Sequence, residues 1–438
     1  MKRYKTDAWA RTRLMFIIEA ALEYFFTIMI GGAYLANLTA AIGMSDALTG
    51  ILSSIVALGS TFQLSALLLA NRLPVKRWVT CLHILNQLSF TMLYLVPGIP
   101  VSGTVKTIVF VVLLLMGYGI SNVLHSPKIN WLMSAVEDDH RGRFTATKEI
   151  VSLISGMVFS YAMGAVTDYY EAQGNIRGSF VVGAITLLVL TVLHTVTLLL
   201  SRERPAPPVK QHTDAWANAK ALLGSASVRR VLLLAVLYSV SYYAAVPFYG
   251  TWQRGELGFS MTFITLLSVI YAIVRSVVSP FLGRYADKTS FFSMLRICYL
   301  VLIVGFAVNV FVLPENGHIL YTVYYALSAI ALGGINSGAL NLVYGVVEPS
   351  QRMCAYALQQ ALAGIAGFLT TAAVSPLVSL IQKNGNSLFG IPVYAQQVVS
   401  LIAALLLIPV FLLCKPVRKD KKMDGAPSEM PCEEELKN

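Results

Sequence analysis

Residues 178–201 read GSFVVGAITLLVLTVLHTVTLLLS, twenty-four positions without a charged side chain. As a helix rising about 1.5 Å per residue, this stretch is about 36 Å long, enough to cross a bilayer core of about 30 Å. Eleven other charge-free runs of at least 18 residues occupy 24–45, 47–71, 78–105, 107–127, 150–167, 231–253, 257–274, 297–314, 316–347, 353–382 and 384–414. They are too long and too uniformly apolar for barrel strands, which alternate and run about 10 residues. Hydrophobic residues make up 56% of the 438 positions and Asp, Glu, Lys and Arg only 13%, against about 25% charged residues in an ordinary soluble domain. Soluble, collagenous, disordered and disulfide-framework classes are excluded, and an all-α polytopic membrane protein with twelve spanning helices is expected.

The net charge of +11 invites a nucleic-acid reading until its distribution is followed. If the N-terminus is cytoplasmic and the spans alternate, 27 of the 33 Lys and Arg residues fall on the cytoplasmic side. Only Lys106, Arg177, Arg254 and Lys383 fall opposite, and Lys128 and Arg275 lie within spans. This is the positive-inside bias, which places both termini in the cytoplasm and leaves no nucleic-acid footprint. The basic start before the first apolar run resembles a signal peptide, but Glu19 and Glu23 and the length of the run make it a first span instead. Cys81, Cys298, Cys354, Cys414 and Cys432 have no metal-ligand spacing, so no disulfide, metal or cofactor is expected.

The long polar interval 201–230, beginning SRERPAPPVKQH, divides the spans six and six. The expected organisation is a six-helix bundle at 1–200, a central loop at 201–230, a second bundle at 231–414 and a disordered tail at 415–438. A shift of 211 lays Asn130 on Asn341, Val136-Glu137 on Val347-Glu348, Arg141 on Arg352, Lys148-Glu149 on Gln359-Gln360 and Gly156 on Gly367. Five coincidences at one offset, each beside a cytoplasmic helix end, indicate a duplicated six-helix unit and point towards a transporter.

Charges inside spans cost about 2.5–3.5 kcal/mol each at a helix centre, so those present call for a reason. Glu19 and Glu23 share one face of the first span, with Glu23 about 15 Å deep counted from Arg13. A carboxyl that is neutral in one state and ionised in another suits proton coupling, which makes Glu23, and after it Glu19, the proton-site candidates. The alternative is a permanent ion pair with Lys128 or Arg275 that only orients helices. The fourth span carries Tyr118, Asn122, His125 and Lys128 at helical steps, with Pro127 able to bend it. A polar stripe of this kind lines a cavity or another helix rather than lipid. In the seventh span Tyr242 and Tyr249 are cavity candidates, while Trp252 and Gln253 read as part of an interfacial belt. Arg275 is a candidate partner for an anionic substrate or for Glu23. Asn336 and Asn341 are candidate hydrogen-bonding groups, with interhelical bonding as an equal alternative.

Gly283-Arg284-Tyr285-Ala286-Asp287-Lys288-Thr289 resembles the loop motif Gly-x-x-x-Asp-Arg/Lys-x-Gly of the major facilitator superfamily, with Ser290 at the second Gly. The corresponding place in the first half, Asn71-Arg72-Leu73-Pro74-Val75-Lys76-Arg77, is degenerate. The six-plus-six layout, the duplication and the run Glu137-Asp138-Asp139-His140-Arg141-Gly142-Arg143 are also similar to that family. The resemblance implies its fold, two pseudo-symmetric six-helix bundles that alternate in access. It also implies a cytoplasmic gate of Gly283, Asp287, Lys288, Arg141, Arg143, Lys148 and Glu149, in which Asp287 latches onto the start of the fifth span. The fifth span lacks the Gly-Pro-x-x-Gly-Gly pattern associated with drug/proton antiporters of the superfamily.

No Walker motif, nucleophile elbow or HExxH helix occurs, so no enzyme is expected. The expected protein is a monomeric secondary transporter in a bacterial inner membrane, with the bilayer, protons and a small polar solute as partners. Lys128 and Arg275 would admit an anionic solute. Proton-antiport efflux is a rival reading, and a non-transporting sensor or scaffold is another.

Overall fold

The computed structural model describes residues 9–59, 75–137, 141–203, 221–348 and 351–414. Nearly all of this is helix. The first half of the chain contributes α1 (Ala10–Met29), α2 (Gly32–Ile42), α3 (Asp46–Gly59), α4 (Val75–Leu93), α5 (Gly103–Met133), α6 (Arg141–Ala172) and α7 (Ile176–Leu200). The second half contributes α8 (Ala226–Ala245), α9 (Tyr249–Arg254), α10 (Met261–Lys288), α11 (Phe291–Asn309), α12 (Gly317–Val346), α13 (Arg352–Lys383) and α14 (Ala395–Leu413). Among the described residues nine helical segments are long and apolar enough to cross a membrane, and α1 with α2, bent by 43°, makes a tenth. The other two expected spans correspond to α3, which runs to the edge of the described residues, and to α4, whose Lys76, Arg77, Asn86 and Gln87 lower its hydropathy.

The charge-free run of residues 178–201 forms α7, and its two faces show what solvent the fold expects. Phe180, Ala184, Leu187, Thr191, His194 and Leu198 are buried, while Val181, Ile185, Leu188, Val192, Val196 and Leu199 are exposed. The exposed face is the more apolar one, the reverse of a soluble amphipathic helix and the pattern required where hydrocarbon replaces water.

Helix starts are set by local chemistry. Asn175 accepts from the Gly178 amide to cap α7, and Ser260 and Ser290 do the same for α10 and α11. Breaks are set by Gly and Pro. Gly32, at φ +51°, turns the chain between α1 and α2, a conformation at which a side chain would be strained. Pro247 sits in the 3-10 turn Val246–Phe248 between α8 and α9. By contrast, α5 continues as helix through Pro127. The charge-free run from 384 to 414 is not one span. A hairpin pairs Ser387 with Pro392 and Leu388 with Ile391, and the helix begins only at Ala395.

Within the first half, α1 packs on α6 and α7, and α4 on α5 and α7. Within the second, α8 packs on α13 and α14, and α11 on α12 and α14. The halves meet through α3 with α13, α6 with α10 and α2 with α9. α6 and α13 both span 32 residues and start and end at the 211-residue offset, so the duplication seen in the sequence extends over these whole helices.

Candidate functional site

A buried polar cluster joins four helices of the first half. Lys128 of α5 places its Nζ 2.8 Å from Glu19 Oε1 and 3.0 Å from Glu23 Oε2, both on α1. The Lys128 and Glu19 side chains are 6% and 4% exposed, whereas Glu23 is 35% exposed, so one carboxylate is sealed in and the other remains accessible. His194 of α7 sets Nε2 3.2 Å from Glu19 Oε1, and its Nδ1 meets the Gln87 amide of α4 at 2.6 Å. His83, also on α4, stacks edge-on against His194 with ring centroids 4.1 Å apart. Spacing explains the convergence: Glu19 and Glu23 are one helical turn apart on α1, and His83 and Gln87 one turn apart on α4.

Lys128 thus pairs with both carboxylates, as the ion-pair alternative requires. Arg275 does not: it is half-buried on α10 beside Gly333 and makes no ion pair with Glu23. The sequence reading missed His83, His194 and Gln87. The detectable signal is a polar group on an otherwise apolar helix face, the criterion that singles out Lys128. Glu23, His83 and His194 bring ligand atoms within 4.8 Å of one another, a grouping that cysteine spacing does not reach.

A cavity of about 530 Å³ lies mainly in the second half, within the usual range for small-molecule sites. Tyr238, Tyr242, Tyr243, Tyr271 and Tyr299 line it, and Ser239, Asn336, Gln359 and Gln360 add hydroxyls and amides. Val231, Leu342 and Tyr356 carry the lining towards the end of the molecule where the described chain begins and ends. Of the substrate candidates, Tyr242 and Asn336 line this cavity. Tyr118, Asn122, His125 and Lys128 do not. Tyr118 donates towards the Ile30 carbonyl, Asn122 bonds the Tyr118 carbonyl, and His125 is exposed. Asn341 bonds the Ser337 carbonyl. Tyr249 is buried in an aromatic cluster with Trp252, Tyr321 and Tyr324 and shares a hydrogen bond with Ser400. Trp252 is fully buried, and Gln253 donates to the Tyr321 and Tyr325 hydroxyls. Neither belongs to an interfacial belt.

The gate motif is also revised in form. α10 continues to Lys288, so Gly283 to Lys288 are the last turns of a helix and the turn proper is only Thr289 and Ser290. Asp287 and Lys288 are exposed there. The side chains of Arg141 and Arg143 lie outside the described residues, as do residues 71–74 and 138–140. Lys148 stands 4.8 Å over the Phe16 ring, and Glu149 is exposed.

At the end away from the termini, polar groups to which the sequence reading gives no bonding role join the two halves together. The Asp168 carboxylate accepts from the Met261 and Thr262 amides, both at 2.7 Å, capping α10 from α6. Arg254 pairs with Glu171 and donates to Asn37 at 2.7 Å. Ser375 donates to the Ala47 carbonyl, and the Gln382 amide donates to Asp46 at 2.7 Å and to Glu256 at 3.1 Å. Gly250 packs so closely on α2 that a Cβ there would stand 2.6 Å from the Gly32 carbonyl oxygen.

A membrane-embedded helical fold with a buried ion cluster and a cavity mainly in its second half is consistent with a solute carrier. The sequence profile described as Major Facilitator Superfamily matches residues 16–371 and 231–430, and the chain belongs to that family. It is a secondary transporter and not an enzyme. No curated protein sequence matches it significantly. Among solved structures, a mutant of the nucleoside transporter NupG aligns with a TM-score of 0.74 at 13% identity, covering 92% of this chain and 98% of that one. A bacterial homologue of the iron transporter ferroportin, in an inward-facing state, gives 0.69 at 16% identity over 93% and 98%. A D-xylose-proton symporter gives 0.67 at 13% over 91% and 96%. At these identities the likeness is one of fold.

Proposed function

We propose that the protein couples proton movement to transport of a small polar solute by alternating access between two six-helix halves, with both termini in the cytoplasm of a bacterial cell. The observation that carries this reading is the division of the Lys128 cluster into a sealed carboxylate, Glu19, and an accessible one, Glu23. A site that loads and releases protons needs one carboxyl open to water while its counter-ion stays fixed. The bonded far end and the cavity lining that reaches the terminal end support an inward-facing state.

The solute binds against the tyrosine wall of the second-half cavity, whose hydroxyls and amides suit a neutral, hydroxyl- or amide-bearing molecule with a flat face. Lys128, held by two carboxylates, is already neutralised, which weighs against its serving as an anion anchor. In proteoliposomes with an imposed pH gradient, Glu23→Gln is expected to abolish gradient-driven accumulation while retaining counterflow exchange. Unchanged accumulation overturns the proton role. A thermal-stability screen across sugars, organic acids, nucleosides and amphipathic drugs identifies the solute class, since a ligand of the folded state raises its stability. A scaffold would respond to none of them.

A further inference from the structure

We propose that Glu23, His83 and His194 form a site for one divalent transition-metal ion of the zinc class, and that Lys128 is its resident competitor. Two imidazoles with a carboxylate are the donor set such ions prefer over magnesium or calcium, which take oxygen ligands. The ligand atoms already lie within 4.8 Å of one another, with His194 Nε2 3.9 Å from Glu23 Oε2. Around an ion with bonds of about 2.0–2.1 Å, tetrahedral ligands stand about 3.3 Å apart. Closing that gap takes a side-chain rotation of Glu23, the most exposed of the three.

The independent observation is His83. It is 2% exposed and its Nε2 has no hydrogen-bond partner, although leaving a buried polar atom unsatisfied costs about 1–3 kcal/mol. An ion shared with His194 supplies that partner. Gln87 provides the outer support that ligating histidines generally have. Its amide meets His194 Nδ1, and its Oε1 is buried without a partner. A half-turn of the amide brings Oε1 to accept from Nδ1–H, which leaves the Nε2 lone pair for the ion. Glu23 then transfers from Lys128 to the metal, and Lys128 stays with Glu19. The site shares Glu23 with the proton-coupling reading, but metal binding to the purified chain is measured without transport, so failure of one reading is distinguishable from failure of the other.

The test is calorimetric titration of the full chain in detergent with Zn2+, alongside Co2+ titration followed by its visible absorption. Wild type is expected to bind one ion. The His83→Gln/His194→Gln pair is expected to lose about 100-fold in affinity and the Co2+ band, the loss reported even for outer-shell changes reaching about that size. Lys128→Met is expected to bind about tenfold more tightly, since the competing charge is gone. The single variant His83→Gln, isosteric in reach and uncharged, gives the same direction of loss should Lys128→Met fail to fold, and metal-free melting curves check the fold of each. Binding unchanged in the histidine variants overturns the proposal, as does the absence of saturable binding by wild type up to about 1 mM.

Discussion

Lys128 is the side chain on which the first half most depends. Two carboxylates share its ammonium, and removing one partner of a buried ion pair typically costs about 3–5 kcal/mol because the other charge stays behind. Lys128→Met should therefore lower the thermal midpoint markedly in metal-free buffer. Adding Glu19→Gln to it should restore part of the loss, since the sealed carboxylate then no longer carries an unpaired charge. A double variant no more stable than the single one would contradict the pairing. At this scale the sequence was legible where chemistry was out of place: Glu19, Glu23 and Lys128 stood out because apolar solvent excludes charge. His83 and His194 did not stand out because an uncharged imidazole is tolerated inside a helical bundle. Asp168, Glu171 and Arg254 passed as ordinary residues at helix ends because only their partners across the molecule give them a role.

Among the elements, the turns at the far end carry more of the interaction between halves than their length suggests. Asp168 caps α10 from another half of the chain, and losing a capping side chain costs about 1 kcal/mol. Asp168→Ala is expected to loosen the far end and raise the reactivity of a cysteine placed at Ala47 towards an impermeant thiol reagent. The neighbouring Glu256 makes that closure sensitive to pH. Burial and the nearby Asp46 carboxylate push it up to about 7 from its ordinary value of 4.5, although the Gln382 amide favours the ionised form. The closed arrangement thus holds a proton more tightly than separated turns do. Its stability is full below about pH 4.5, falls as the pH rises towards 7, and has lost the whole increment above that. Labelling at position 47, corrected for the reactivity of a free thiol, should be faster at pH 8 than at pH 5, and Glu256→Gln should flatten the difference. Helix ends were the least legible elements. The absence of charge from 384 to 414 concealed a hairpin, because Gly, Asn and Ser break a helix without adding charge, and the gate motif read as a loop continues α10.

Across the whole molecule, the positive-inside bias and the 211-residue repeat were enough to indicate the architecture, and α6 and α13 agree with the repeat along their full lengths. The close crossing of α2 and α9 is a point where bulk would act globally. Gly250→Val places carbon against the Gly32 backbone, and overpacking of this kind costs about 1–3 kcal/mol. Solute binding, read as thermal stabilisation, should survive in that variant while transport is lost; undiminished transport would show that the crossing does not have to close. The offset of 211 also pairs Lys128, in the buried ion-pair cluster, with Ala339, in the lining of the second-half cavity. Equivalent positions of a repeated unit have thus diverged, one half keeping charge and the other space. If the cluster carries the coupled ion and the cavity the solute, as proposed, the two share no ligand, and the stoichiometry of exchange is enforced only by the fit between halves. Loosening that fit should produce slip, solute crossing without its ion, before it produces any loss of binding.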